Sequence, residues 1–66
     1  MFTIDNDKLV KVTQIFNSET DETATKEVIE KEICANWNEG EEHQKWIDTA
    51  EPSEIADWLT SFYSFY

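Results

Sequence analysis

The sequence predicts a small single-domain α+β fold, an N-terminal β-hairpin followed by three helices. Three observations carry that expectation. Residues 9–16 are rich in β-branched side chains, which favour strands. Beyond position 27, apolar residues recur at three- and four-residue spacings, the period of one helix face. From Ser53 to Tyr66, apolar and polar residues fall into opposite halves of a helical wheel with no exception.

The hairpin is read first. Phe2-Thr3-Ile4 precedes the turn-like Asp5-Asn6-Asp7-Lys8, and Leu9–Phe16 forms the returning strand. Val10, Val12 and Phe16 share one strand face, with Gln14 interrupting it. A competing arrangement caps a short helix over residues 8–16 with Asp7 and aligns Leu9, Val12 and Phe16. β-branching favours the strand.

Asn17-Ser18-Glu19-Thr20-Asp21 reads as a polar loop ending in capping residues, and a helix follows over about residues 22–38. Glu22 with Lys26 and Glu27 with Lys31 are four apart in the favourable order. Ile29, Ile33 and Trp37 form its apolar line, joined by Val28. Gly40, the single glycine, marks a stop. A shorter helix over residues 41–50 puts His43, Trp46, Ile47 and Ala50 on one face.

Pro52 suits the first position of the last helix, where a missing N–H is not needed. Glu54 and Asp57 place negative charge near the positive end of its dipole. Its apolar arc spans ~180°, wider than the stripe of ~100° that a core-facing helix needs. Either the helix is packed on two sides, or one flank serves self-association, through Trp58, Phe62, Tyr63, Phe65 and Tyr66 as a homodimer contact.

A chain of 66 residues has room for one small domain, and such domains lean on disulfides, metals or oligomerisation. Cys34 is the single cysteine, so no internal disulfide forms. No apolar run approaches the ~20 residues needed to span a membrane. The opening residues lack the basic start and apolar run of a signal peptide. These features lead us to expect a cytoplasmic protein.

Charge limits the function classes most. Fifteen acids face five basic residues, all lysine, for a net charge of −10. Residues 1–18 and 58–66 are each neutral overall, so the excess lies in residues 19–57. Such a chain is repelled by nucleic acid and by anionic membranes, and attracted to basic proteins.

Candidate chemistry is sparse. His43, Glu39 and Cys34 fall short of a fourfold metal site, and Asp5-Asn6-Asp7 starts like a calcium loop without its later ligands. Cys34 lies among Glu30, Lys31 and Glu32, the wrong field for a lowered thiol pKa. Ser61 and Ser64 have no base within reach by sequence. With no arginine and no glycine-rich loop, phosphate binding lacks an agent. We expect neither catalysis nor a cofactor.

The expected activity is docking on a basic protein, such as a nucleic-acid-binding enzyme, through Glu19, Asp21, Glu22, Glu27, Glu30, Glu32, Glu39, Glu41 and Glu42. Carboxylates three or four apart on a helix stand ~5–6 Å from one another, the order of phosphate spacing on a nucleic-acid strand. That pattern would suit a DNA-mimicking inhibitor of the phage-encoded type. The alternative is a self-associating assembly subunit, in which the aromatic helix does the work and the acids confer solubility.

Overall fold

The computed structural model describes residues 3–35 and 40–62. Glu41 and Phe62 are placed by their backbones alone. Helix α1 covers Asn6–Thr20, α2 Lys26–Ala35, α3 Gly40–Thr49 and α4 Pro52–Phe62. No strand occurs among the described residues, so the predicted hairpin is wrong and the fold is all-α. Phe2 lies outside the described residues.

Residues 8–16 are helical because capping and periodicity together outweigh β-propensity. Asp5, rather than Asp7, is the N-cap, and its carboxylate accepts from the Asp7 N–H at 3.1 Å and the Lys8 N–H at 3.3 Å. Leu9, Val12 and Phe16, spaced i, i+3, i+7, bury one face. The β-branched threonines are accommodated by back-bonding. Thr13 Oγ1 donates to the Leu9 carbonyl at 2.9 Å, and Thr20 Oγ1 to the Phe16 carbonyl at 2.7 Å.

The stretch from Asn17 to Thr20, read from sequence as a loop, is the end of α1. Asp21 stops the helix in the left-handed region, at φ 58° and ψ 35°. The N–H groups of Asp21 and Glu22 both donate to the Asn17 carbonyl. Asn17 also holds the connection, its side chain donating to the Ala24 carbonyl at 2.9 Å and accepting the Ala24 N–H at 3.0 Å. Helix α2 therefore begins four residues later than the sequence predicted. Thr25 caps it, Oγ1 accepting the Val28 N–H at 3.3 Å. Glu22 stays in the connection, so its spacing from Lys26 is not a helical pair. Lys26 Nζ donates to Asn6 Oδ1 at 2.8 Å instead.

The last two helices follow the predicted pattern over their described residues, except that Gly40, read as a stop, is the first residue of α3. Pro52 occupies the first turn of α4, and the Ile55 N–H closes that turn on the Glu51 carbonyl at 3.2 Å. Residues 63–66, the predicted end of this helix, lie outside the described residues, as does Trp37.

Helix α1 packs mainly on α4 and also against α2. The core joins Leu9, Val12 and Phe16 to Ile29 and Ile33, with Ile47 from α3, Ala50 just beyond its end, and Ile55, Ala56 and Leu59 from α4. Each large member contributes roughly 1.5–3 kcal/mol, gross and as an upper bound. Polar contacts tie α3 to the rest. Lys8 Nζ donates to the Ile47 carbonyl at 2.9 Å and the Asp48 carbonyl at 3.1 Å, bringing positive charge to a helix end that has no basic residue of its own. Thr3 and Gln44 exchange two bonds, at 2.7 and 2.8 Å. The radius of gyration, 10.9 Å, matches the ~11 Å expected for a folded chain of this length. No described helix is long and apolar enough to cross a membrane.

Candidate functional site

Carboxylates dominate the exterior. Of the thirteen acids whose side chains are described, eleven are exposed and two, Glu22 and Glu32, are half-buried. Among the described residues, the predicted docking acids are spread over α1, the turn after it, α2 and α3. Glu27 and Glu30 share a face of α2, but Glu32 points ~140° from Glu27 on the helical period. Glu19 stands on the last turn of α1 and Asp21 and Glu22 in the turn beyond it. Glu42 is exposed on α3, beside the backbone of Glu41. Glu39 lies outside the described residues.

At one place the fold brings two acids together. Glu19 of α1 faces Asp57 of α4, both exposed. Desolvation at the seam between the helices lifts the Glu19 carboxyl above its ordinary range. The negative charge of Asp57, and a hydrogen bond to it, add to the rise.

A second feature was not foreseen from sequence. The start of α2 crosses the N-terminal half of α1 and leaves a groove of about 180 Å³. Ile4 and Leu9 give it an apolar lining, while Asn6, Lys26, Glu27 and Glu30 supply its polar atoms. Its sequence signal was hidden, because these residues meet only once residues 6–16 are helical. The hydrogen bond from Lys26 to Asn6 fixes the ammonium at one wall.

The remaining candidates separate. His43 is buried, 4 % exposed, with its ring centroid 6.2 Å from that of Trp58. Desolvation lowers its pKa. Cys34 is exposed on α2. Among the described residues no three His, Cys, Asp or Glu side chains group to hold a metal. Asp5, the first residue of the calcium-like triplet, is engaged as the α1 cap.

Trp58, one of the predicted self-association residues, is half-buried and meets Trp46 edge-on at 5.3 Å. Part of the wide aromatic arc is thus covered within the chain, by α3. Phe62 ends α4, and Tyr63, Phe65 and Tyr66 lie outside the described residues. Ser61 Oγ donates to the Trp58 carbonyl at 2.7 Å, and Ser64 lies outside the described residues. No protein-family model, curated protein or solved structure matches this chain.

Proposed function

We propose that this chain is a non-enzymatic binding protein that docks its carboxylate surface on a basic protein. The observation carrying this reading is the exposure of eleven described acids on a body only 31 × 23 × 18 Å in extent, with a net charge of −10. Two of the five lysines donate to the protein's own oxygens, Lys8 to α3 and Lys26 to Asn6. With fifteen acids against five lysines, the carboxylates set the field that a partner meets. A surface basic enough to hold this chain also attracts phosphate, so docking would occlude a nucleic-acid site.

Helix α2, with Glu27 and Glu30 exposed on one face, and the end of α1, with Glu19 and Asp21, are the proposed contact regions. The test is capture of the native partner followed by affinity measurement across a salt series. Affinity should fall steeply as salt rises, because the long-range part of the attraction is screened. Replacing Glu27 and Glu30 together with Gln should abolish binding. Affinity that ignores both salt and these substitutions would refute the proposal.

A further inference from the structure

Resting on that reading, we infer that the groove between α1 and α2 receives a single arginine side chain from the basic partner. At about 180 Å³ it is well below the ~300–1,000 Å³ typical of drug-sized ligand sites, and it suits one side chain. Its composition matches an arginine along its length. Ile4 and Leu9 would meet the aliphatic stem, as apolar surface commonly does under a snorkelling base. Glu27 and Glu30, three apart on α2, would meet the guanidinium, whose planar fork pairs with carboxylates.

The one opposing charge is Lys26, and it is held at 2.8 Å on Asn6 Oδ1. Two carboxylates against one ammonium leave the lining net negative. Asp5 and Asp7, both exposed and flanking Asn6 in sequence, add negative charge at the same end of α1. Arginine rather than lysine is the occupant, because two carboxylates on one helix face offer a fork more than a point charge needs.

The experiment titrates the intact protein at physiological ionic strength with the tripeptide Gly-Arg-Gly, followed by backbone amide NMR shifts. Shifts should concentrate at Ile4, Asn6, Leu9, Lys26, Glu27 and Glu30. A matching peptide with neutral citrulline should bind about tenfold more weakly, the scale of losing a charge-assisted pair. Glu27→Gln or Glu30→Gln should each weaken the arginine peptide about tenfold. Lys26→Gln should tighten it about threefold by removing the repulsive charge.

The control is Asp57→Asn. Asp57 sits beside Glu19, thirteen positions after Asn6 and so ~20 Å along α1. It should change affinity less than about twofold, since that separation exceeds the Debye length at physiological salt. Shifts spread over all acidic surfaces, or equal losses from Asp57→Asn and Glu30→Gln, would overturn the groove while leaving acidic docking intact. Equal binding of Gly-Lys-Gly, titrated in the same way, would overturn the choice of arginine. Absence of salt-sensitive binding to the native partner would instead remove the proposed function.

Discussion

His43 is buried on α3 beside Trp58, and desolvation disfavours its charged form. Its folded pKa lies below the unfolded value of 6.5. Between the two, the unfolded chain binds more protons than the folded one. Stability from this residue is therefore complete above pH 6.5 and is lost as pH falls below it. Glu19 works in the opposite sense. Its raised pKa makes the folded state bind the proton more tightly, so stability rises as pH drops through that value. Urea midpoints at pH 7.5 and 5.5, measured with and without the imidazole, isolate His43, since Glu19 is common to both proteins. The native chain should lose stability over that interval relative to His43→Phe, which keeps the aromatic contact without the titration. Identical pH slopes in the two proteins would contradict this. Asp21 offers a second test at this scale. It holds a left-handed backbone without being glycine, and its negative charge sits at the unfavourable end of the α1 dipole. Asp21→Gly should raise stability by about 0.5–1 kcal/mol, net of the flexibility glycine adds to the unfolded chain. Asp21→Asn, relieving charge alone, should give a smaller gain. A loss in thermal or urea stability for the glycine variant would count against the Asp21 geometry.

Helix α1 is where sequence and structure part. The alignment of Leu9, Val12 and Phe16 was visible in the sequence, and so was a capping aspartate two residues from the true one. β-branching at Val10, Val12, Thr13 and Ile15 pointed the other way. The helix prevails because an isolated hairpin is marginal, whereas an amphipathic helix can bury its stripe on α4 and α2. The later helices were legible since Ile29 and Ile33, then His43, Ile47 and Ala50, follow one period and are buried in the structure. Pro52 marked the start of α4 for the same local reason. What could not be read was anything needing a distant partner. Lys8 capping α3, Asn17 clamping Ala24, and the groove all depend on helices meeting in space. The predicted acidic ladder was weakened by the later start of α2 and by the angular position of Glu32. Two substitutions test α1 as an element. Asp5→Ala should remove about 1 kcal/mol by deleting the cap, while Asp7→Ala should change stability much less. Gln14→Pro, at an exposed mid-helix position, should cost about 3 kcal/mol or more, which a marginal domain of this size would show as lost helical circular dichroism. An unchanged spectrum and midpoint for that variant would be incompatible with a continuous helix from Asn6 to Thr20.

For the molecule as a whole, charge links folding to binding. Ten net negative charges on a body with a radius of gyration of 10.9 Å repel one another in the folded state more than in the expanded chain. Much of that repulsion acts between acids farther apart than the Debye length of ~8 Å at physiological salt, and longer-range terms appear only when salt is low. Raising sodium chloride from about 0.02 M to about 0.5 M should therefore stabilise the free protein, moving its urea midpoint upward. Chloride is the salt of choice, since sulfate would also strengthen apolar burial and blur the source of the gain. The proposed docking responds in reverse, because the same screening weakens attraction to a basic partner. Opposite signs follow from one cause, the excess of exposed carboxylates, and a single salt series on the free and bound protein reads both. A folded state destabilised by chloride would mean that local attractive pairs, rather than net repulsion, govern this surface. In that case neutralising Glu27 and Glu30 should also destabilise the free chain. Under the net-repulsion account the same substitutions leave it as stable or slightly more stable, so the two variants and the salt series must agree.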